Sequence, residues 1–300
     1  MNVFSIVVAY HPDVEHLARL CRTLATSGAK VIVVDNSEAG DTEPRFEMES
    51  CTRIALGENT GIAHAQNVGI AIAIDRGADV IVFFDQDSEP DGNFLRHLLA
   101  DMKPGEPGVV APVCMDKATG QELASLRIGR LSLRRNVVSH GQHLPYPVDL
   151  VLSSGSAATA VTFSLVGKMD EDFFIDFVDF EWCFRCRSRQ VPIRVIPSAV
   201  MRHSIGQRSV SFGIIRGTVH GVSRSYYKIR NCFLLFRKSD VPFLFASFAT
   251  FSMLVRFILL LPFVKNRLAY VRVLFTAIRD GVTGVVGKSP ASVRPQSGPS

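Results

Sequence analysis

The sequence predicts an α/β fold built on a mostly parallel sheet with helices packed on both faces. Three apolar, β-branched runs have the length of strands that are buried on both sides: Val3–Ala9, Val31–Val34 and Val80–Phe84. Segments with helical spacing separate these runs, and that alternation is typical of parallel sheets. A polar cluster follows each run, at the edge where such sheets bind ligands: Tyr10-His11, Asp35-Asn36-Ser37 and Asp85-Gln86-Asp87.

The remaining elements follow in order along the first 200 residues. Apolar residues at helical spacing predict a helix from Asp13 to Ala25, which Asp13 can cap and Gly28 can end. Further predicted elements are helices over Ile62–Asp75, Asn93–Met102 and Asp179–Arg189, and strands starting at Val109–Ala111 and over Ile193–Ile196. Residues 115–149 are less periodic, and they are predicted as a hairpin insertion or a loop.

The last hundred residues differ in composition from the rest of the chain. Arg224–Lys238 is predicted as a helix, and Val241–Phe263 is an apolar run of marginal length for crossing a membrane. A stretch with bases beside apolar residues follows, which is typical of a helix that lies in a membrane interface. The sequence leaves open whether Val241–Phe263 spans the membrane or lies on it. The tail after Gly287 is rich in Ser and Pro and is predicted to be disordered.

The net charge of +5 conceals an uneven distribution of charge along the chain. Residues 1–200 hold 26 acidic and 18 basic residues, whereas residues 201–300 hold 2 acidic and 15 basic ones. Because the bases lie among apolar and aromatic runs, they indicate contact with anionic lipid and exclude a uniformly basic nucleic-acid binder. The dinucleotide and P-loop glycine motifs are absent from the sequence, which argues against NAD enzymes and P-loop NTPases. The chain start lacks the features of a secretory signal, so we expect a cytoplasmic protein.

Asp85-Gln86-Asp87 is the sharpest single motif. Two carboxylates two residues apart at the end of a strand present oxygen ligands of the kind that Mg²⁺ and Mn²⁺ prefer, often shared with a substrate diphosphate. A solvated turn is the alternative reading of such a tripeptide. Its place after the third predicted strand favours the metal site.

Six motifs in order resemble those of family 2 glycosyltransferases with the GT-A fold. They are VVAYHP, VVDNS, ENTGIAHAQNVG, FFDQDSEP, FFIDFVDFEW and VMRHSIGQ, and the resemblance spans about Val3 to Arg237. It is greatest to the bacterial rhamnosyltransferase branch, which builds surface polysaccharides. The resemblance therefore implies a nucleotide-diphospho-sugar transferase fold, followed by C-terminal amphipathic helices.

The resemblance also implies roles for individual residues. The first strand end and the D-N-S turn hold the base and ribose in this family, the N-x-G segment lies beside the nucleotide, and an S-G-S turn lies near the donor sugar. The implied nucleotide-sugar-binding residues are Ala9, Tyr10, Asp35, Asn59, Gly61, Asn67, Asp85, Gln86, Ser154 and Gly155. A simple helix cap is the alternative for the N-x-G segment. Asp87, and His203 as a further ligand, are the implied metal ligands.

The acidic segment Asp170–Glu181 is the implied source of the catalytic base. Relatives carry an E-D pair here, and in this sequence the pair becomes Val178-Asp179. Asp179 is therefore the predicted base that deprotonates the acceptor hydroxyl, with Asp176 and Glu181 as rivals. An N-cap carboxylate is the alternative role for Asp179. The basic side chains around Arg230 are predicted either to hold phosphate or to lie on a solvated helix face.

The sequence thus predicts an inverting, metal-dependent glycosyltransferase. By resemblance, the donor is dTDP-L-rhamnose and the acceptor is a growing or lipid-linked glycan at the inner face of the cytoplasmic membrane. The predicted division is a GT-A domain over residues 1–223, a membrane-associating segment over 224–287 and a tail over 288–300. The alternatives are a transferase that uses a UDP-sugar, a non-catalytic nucleotide-sugar-binding subunit and an integral membrane protein.

Overall fold

A ten-stranded sheet forms the centre of the molecule in this computed structural model, which describes residues 1–40, 51–117, 119–129, 134–203, 209–212, 215–218, 221–264, 266–290 and 293. The described strands are β1 (Val3–Ala9), β2 (Lys30–Asp35), β3 (Cys51–Ala55), β4 (Val80–Asp85), β5 (Glu89–Pro90), β6 (Val109–Asp116), β7 (Glu122–Leu123), β8 (Ser125–Ile128), β9 (Arg134–Val137), β10 (Tyr146–Val148), β11 (Ala157–Thr159), β12 (Ile193–His203), β13 (Ser209–Phe212) and β14 (Ile215–Thr218). The described α-helices are α1 (Val14–Thr26), α2 (Ile62–Asp75), α3 (Phe94–Leu98), α4 (Ala160–Val166), α5 (Val178–Ser188), α6 (Val222–Leu234), α7 (Phe243–Leu260) and α8 (Arg267–Thr283).

The long strands of the sheet are parallel. Strand order is β10-β12-β6-β11-β4-β1-β2-β3, with β5 on β12 and β7 on β6. β1 pairs in parallel with β2 and β4, β2 with β3, and β6 with β12. The short β11 lies antiparallel between β4 and β6, so those two also run in the same direction. The predicted mostly parallel sheet is confirmed.

Alternate residues of each central strand face opposite layers of helices. Ile6 and Ile32 pack in the core layer of α2 and α5, whereas Val7 and Val33 pack in the layer of α1 and α3. Asp13 caps α1 by accepting a hydrogen bond from the His16 N–H at 2.9 Å, as predicted. Both faces of the sheet are thus covered, which explains why its strands are continuous apolar runs.

Several elements differ from the sequence prediction. α3 ends at Leu98, earlier than the predicted Met102, and β3, β11 and α4 were not predicted at all. β6 and β12 each continue beyond the predicted range. Pro112 interrupts the apolar pattern of β6, and the register of β12 shifts between Ile196 and Val200 opposite it. That bulge lets the ladder continue past a residue that lacks an N–H. β8 and β9 pair antiparallel, which favours the hairpin alternative for this region.

The C-terminal helices pack on the sheet domain and on each other. Leu234 and Phe245 belong to the same apolar core as α5, where the Phe184 and Phe245 rings lie 4.8 Å apart between centroids. Within the described residues, one segment is long and apolar enough to cross a membrane: Phe243–Phe263, with a mean hydropathy of 2.1 and 17% of its apolar window buried. It consists of α7 and the 3-10 turn that follows.

Candidate active site

The predicted polar clusters lie together at the carboxyl edge of the sheet. The register places Ala9 opposite Asp35 and Val8 opposite Asp85. The backbone N–H of Asn36 also donates to the Ala9 carbonyl at 2.7 Å. The parallel register of β1, β2 and β4 therefore brings three segments that are distant in sequence to one end of the sheet.

Tyr10 and Gln86 join the β1 and β4 ends directly. The Gln86 amide accepts a hydrogen bond from the Tyr10 N–H at 2.6 Å and donates one to the Tyr10 carbonyl at 3.1 Å. The Tyr10 side chain remains 43% exposed. The Gln86 side chain thus fixes the loop after β1 and leaves the Tyr10 ring facing solvent beside the strand ends.

Asp35 is a buried carboxylate paired with Arg53 of β3. Its Oδ2 accepts hydrogen bonds from the Arg53 guanidinium, and its Oδ1 accepts one from the Ser37 N–H at 3.1 Å. Burial raises the pKa of Asp35, but the bonds from Arg53 and Ser37 outweigh it and hold the pKa below its usual value. Arg53 could not be identified from the sequence, because β3 carries no buried apolar run.

The Asn59-Thr60-Gly61 turn binds the D-N-S turn at the start of α2. Asn36 accepts a hydrogen bond from the Thr60 N–H at 2.8 Å and donates one to Asn59 at 3.2 Å. Asn59 in turn accepts from the Gly61 N–H at 3.1 Å. Gly61 has φ +91°, and a Cβ there would lie 2.6 Å from the Phe174 ring. Only glycine fits this approach, which brings the acidic segment Asp170–Glu181 against α2.

Asn67 holds the same segment from the next turn of α2. It is buried, donates to the Met169 carbonyl at 2.9 Å and to Glu171 at 2.7 Å, and accepts from the Met169 N–H at 2.8 Å. His64 lies beside it, with its ring nitrogen 2.8 Å from Glu171. Asn67 thus faces the acidic segment, and its amide bonds to backbone and side chain there.

The Ser153–Ser156 turn contacts both Asp85 at the end of β4 and Asp179 of the acidic segment. Ser154 is buried, and its hydroxyl accepts a hydrogen bond from the Asp85 N–H at 3.3 Å and lies 3.1 Å from the Ser88 hydroxyl. A hydrogen bond from the Ser153 backbone to Asp179 lowers the pKa of that carboxyl group, against the larger, opposite effect of burial. Gly155 has φ +78° and would place a Cβ 2.8 Å from Met201 and Pro112, so this position also requires glycine.

The three candidate bases have different surroundings. Glu181 is buried and forms a two-pronged ion pair with Arg185, each contact 2.8 Å long. Asp176 is paired with Arg224 at 3.3 Å and faces Lys228 at 3.9 Å. Asp179 accepts a hydrogen bond from the Phe180 N–H at 2.9 Å. Desolvation raises the pKa of Asp179 to about 7, and the Asp176 charge adds to this, although the Phe180 and Ser153 backbone bonds oppose it.

Asp87 and His203 come from distant segments that the sheet brings together. Asp85 and Asp87 are half-buried after β4, and the Lys117 ammonium donates to the Asp87 carbonyl at 3.3 Å and to Glu89 at 2.8 Å. β12 pairs Arg202 with Glu89, so the backbone of His203 lies close to the residues that follow Asp87. The side chain of His203 lies outside the described residues. Among those described, no group of three or more His, Cys, Asp or Glu side chains converges.

The chain is similar over nearly its whole length to a protein that is named as a transferase. A protein of Shigella flexneri named dTDP-rhamnosyl transferase RfbF is 34% identical over 288 residues, which cover 95% of this chain and 97% of that protein. The family described as Glycosyl transferase family 2 matches residues 5–150. The chain is a family 2 glycosyltransferase. As a glycosyltransferase it is an enzyme, not a non-catalytic binding subunit.

This glycosyltransferase shares its fold with solved GT-A structures. A structure of S. aureus TarS 1-349 in complex with UDP-GlcNAc has a TM-score of 0.56 at 14% identity, covering 95% of this chain and 84% of that one. A structure of GalNAc-T7 with UDP, GalNAc and Mn²⁺ has a TM-score of 0.57 at 13% identity, covering 78% of this chain. This chain spans about half the length of that GalNAc-T7 chain, for which the coverage is 50%. The predicted GT-A fold is confirmed.

A buried Arg–Asn pair in this glycosyltransferase holds the acidic segment, in a role that the sequence did not predict. Arg230 is fully buried and donates to the carbonyls of Asp172 and Phe173 at 3.2 and 3.1 Å. Asn231 donates to the carbonyls of Phe173, Ile175 and Asp176 at 2.9, 2.7 and 2.9 Å. The two roles predicted from the sequence, a phosphate ligand and a residue of a solvated helix face, are therefore both wrong for Arg230. We call these two residues the α6 clamp.

Proposed function

We propose that this enzyme transfers L-rhamnose from dTDP-L-rhamnose, with inversion, to a lipid-linked or growing surface polysaccharide. The observation that carries the proposal is the 34% identity to the dTDP-rhamnosyl transferase of Shigella flexneri over 95% of this chain. Relatedness that extends through the C-terminal helices supports a common donor and a common kind of acceptor, because those helices lie outside the family match over residues 5–150.

The donor nucleotide is proposed to lie at the carboxyl edge of the sheet. Parallel sheets of this kind bind ligands beyond the carboxyl ends of their strands, where Ala9, Tyr10 and Asp35 meet. The remaining proposed donor contacts come from the same edge and from the turns beside it: Asn59, Gly61, Asn67, Asp85, Gln86, Ser154 and Gly155. Asn67, whose amide is bonded to the acidic segment, acts in this proposal by positioning that segment beside the donor.

Asp87 and His203 are proposed to hold Mg²⁺ or Mn²⁺ together with the donor diphosphate. Two half-buried carboxylates at one strand end fit such a cation, because they supply hard oxygen ligands. When bound, the ion offsets charge on the departing diphosphate. Asp85 would then lie nearer the ribose.

Asp179 is the proposed base. A general base works best when its pKa lies near the working pH, and the pKa of Asp179 is raised to about 7. The acceptor oxygen bonds to the anomeric carbon as the bond from that carbon to the diphosphate oxygen breaks, and the hydroxyl proton passes to the Asp179 carboxylate. Glu181 is engaged by Arg185, and Asp176 by Arg224, which favours Asp179 over both rivals.

The C-terminal helices are proposed to bring this cytoplasmic enzyme to the membrane where its acceptor is held. α7 buries Phe245, Ala246 and Thr250 against the protein along one side, whereas Phe243 and Phe251 are 71% and 68% exposed. A helix packed lengthwise on its own domain, with an apolar outer side and bases nearby, suits the membrane interface. We therefore keep the division into a transferase domain over 1–223, a membrane-associating segment over 224–287 and a tail over 288–300.

A donor panel tests the proposed reaction. The purified chain is incubated with dTDP-rhamnose, UDP-sugars and other nucleotide sugars, with Mg²⁺, Mn²⁺ or a chelator, and release of the nucleoside diphosphate is measured. We expect turnover of dTDP-rhamnose that the chelator abolishes. Turnover of a UDP-sugar in its place would overturn the proposed donor while leaving the fold intact. Full turnover in the presence of the chelator would overturn the proposed requirement for a metal ion.

Carbonate extraction of membranes tests the proposed location. A protein that lies on the interface is released by alkaline carbonate, whereas one whose Phe243–Phe263 segment crosses the bilayer stays in the pellet. We expect release. Retention in the pellet would replace the interfacial arrangement by a spanning one.

A further inference from the structure

The chain that follows α8 returns to the candidate active site. Residues 285–289 cross the buried Arg230 of the α6 clamp, which donates to the carbonyls of Val285 and Gly287 at 3.4 and 2.8 Å. Ser289, which lies in the tail predicted from the sequence to be disordered, is 2% exposed. We call residues 285–289 the C-terminal strap.

The C-terminal strap holds the backbone of the acidic segment. The Gly287 N–H donates to the Asp172 carbonyl at 2.9 Å, and Arg230 donates to the same carbonyl at 3.2 Å. Arg230 joins the two parts, because its Nη1 bonds to the strap and its Nη2 bonds to the Asp172 and Phe173 carbonyls. Since Arg230 is fully buried, movement of the strap would leave part of its guanidinium without partners, which is unfavourable.

A stacked pair of rings extends this contact to the start of α2. The Ser289 N–H donates to the Tyr227 hydroxyl at 2.8 Å, and the Tyr227 ring stacks on the Phe174 ring with 4.7 Å between centroids and 8° between planes. The Phe174 carbonyl accepts a hydrogen bond from the Ile62 N–H at 2.8 Å, and its ring lies against Gly61. The strap is thus connected, through two aromatic residues, to the turn that precedes α2.

Lys288 of the strap contacts the same region directly. Its ammonium lies 3.2 Å from the Glu58 carboxylate, and Glu58 comes immediately before the Asn59-Thr60-Gly61 turn. The two side chains are 36% and 68% exposed, so this ion pair contributes less than the buried contacts do. The C-terminal strap therefore bonds both to the acidic segment and to the residues at the start of α2.

We infer that the C-terminal strap is a positioning element of the transfer reaction, because it fixes the acidic segment relative to the turn that precedes α2. The inference rests on the proposed function, in which Asp179 of the acidic segment is the base, and Asn59 and Gly61 of the turn are donor contacts. The distance between base and donor must be held closely, since a displacement of about 1 Å costs about 10² in rate. A strap bonded to both parts holds that distance without touching substrate.

Tyr227→Phe tests the strap and has a matched control. It removes the acceptor of the Ser289 N–H but leaves a ring to stack on Phe174. Tyr226→Phe removes a buried hydroxyl from the neighbouring residue of α6, which donates to Asp280 of α8 at 2.8 Å and does not contact the strap. Both variants should unfold more easily in urea, because each loses one buried hydrogen bond.

The two variants should differ in turnover. We expect kcat for sugar transfer to fall about tenfold in Tyr227→Phe and to stay within about twofold in Tyr226→Phe, with the donor Kd within about threefold in both. Equal losses of kcat at equal destabilisation would show a purely structural role and overturn the inference.

A double variant tests whether the strap acts as one unit. Gly287 has φ +70°, so Gly287→Ala strains the strap although the added methyl group meets no atom within 4 Å. We expect kcat to fall about fivefold in Gly287→Ala. Combined with Tyr227→Phe, the loss should be about tenfold and not about fiftyfold, because a strap that is already released has little more to lose. Losses that multiply would indicate two unrelated defects and contradict a single positioning element.

Exchange of charges tests the contact with Glu58. Lys288→Glu places two carboxylates together, and we expect kcat to fall about threefold, since interactions between exposed charges are modest. Lys288→Glu combined with Glu58→Lys re-forms the pair in reverse and should restore most of the lost activity. No loss in the single variant, or no recovery in the double variant, would remove this contact from the positioning role.

Hydrogen exchange tests the strap without turnover. In Tyr227→Phe we expect backbone amides of the acidic segment and of the turn before α2 to exchange about tenfold faster, while those of β1 and β4 stay unchanged. Unchanged exchange in the acidic segment, or faster exchange with unchanged kcat, would overturn the inference. The kinetic measurements use whichever nucleotide sugar the donor panel identifies. Failure of dTDP-rhamnose as the donor would therefore overturn the proposed donor and leave this comparison standing.

Discussion

The strand-end region and the acidic segment are two halves of one candidate site, yet different forces position them. Ala9, Asp35 and Asp85 occupy their places through the backbone register of parallel strands. The segment around Phe174–Asp179 lies outside the sheet, and buried side chains of α6 hold its carbonyls. The first half is thus fixed by secondary structure and the second by tertiary contacts to residues more than fifty positions away.

Backbone strain also distinguishes the acidic segment from the strand-end half. Phe174, Asp176 and Phe177 have φ of 61°, 64° and 69°, in the left-handed region that non-glycine residues seldom adopt. Each such residue costs about 1–3 kcal/mol and persists only where its surroundings hold it. Asn231 donates to the carbonyls of Phe173, Ile175 and Asp176, so the α6 clamp supplies those contacts. The acidic segment should therefore be the more fragile half.

The largest expected effect comes from Asp179→Asn. This change keeps the shape of the side chain but removes the proposed base, so we expect kcat to fall by about 10²–10⁴ with the donor Kd little changed. Steady-state kinetics and donor titration measure the two quantities separately. Asp172→Asn, in the same segment, is the matched control, because Asp172 is 43% exposed and paired with Lys238. Equal losses in both variants would argue against Asp179 as the base.

Asn231→Ala should produce the next largest effect without touching substrate. Loss of three hydrogen bonds to the acidic segment frees its strained backbone, and displacement of about 1 Å at a catalytic group costs about 10² in rate. We expect kcat to fall by about that factor while the donor Kd, set by the strand-end half, stays within about threefold.

Thr250→Val provides the control for a purely structural loss. Its buried hydroxyl donates to the Cys232 carbonyl at 3.3 Å on the same helix pair but outside the α6 clamp. Both variants should unfold more easily in urea, and only Asn231→Ala should lose turnover. If Thr250→Val lost as much turnover at equal destabilisation, the clamp would have no special link to the acidic segment.

The pH dependence of kcat should differ from that of donor binding. Below about pH 7 we expect an effect of about tenfold per pH unit on kcat alone. Desolvation raises the pKa of Asp179 to about 7, whereas hydrogen bonds from Arg53 and Ser37 outweigh burial and keep the pKa of Asp35 low. The base works when deprotonated, so kcat should fall about tenfold per pH unit below about 7. The factor by which Asp35→Asn changes the donor Kd should stay constant from about pH 5.5 to 8, because Asp35 stays ionised over that range. A factor that falls together with kcat would contradict the separation.

The sequence predicted the strand-end half well because its signals are local. Apolar runs that end in Asp35-Asn36-Ser37 and Asp85-Gln86-Asp87 identify both the strands and the polar edge. The clamp has no such signal, since Arg230 occurs in a basic, aromatic helix and its burial depends on α8 and the acidic segment closing around it. Arg53 was missed for a related reason, because the edge strand β3 has no apolar pattern.

Stability measured against pH gives the smallest but most direct contrast between the halves. The folded pKa of Asp179 is raised to about 7, whereas its unfolded pKa is about 4. Such a group destabilises the fold progressively as pH rises through that window. Asp179→Asn should therefore stabilise the protein at about pH 8 and have no such effect near pH 4. We expect about 1–3 kcal/mol in urea unfolding at pH 8, since each pKa unit is worth about 1.4 kcal/mol and partial contact with water lowers the total. Asp35 has its pKa lowered, so Asp35→Asn should destabilise, and by more at pH 8 than at pH 4. Shifts of the same sign in both variants would contradict the idea that one acid is placed for chemistry at a cost to the fold while the other supports it.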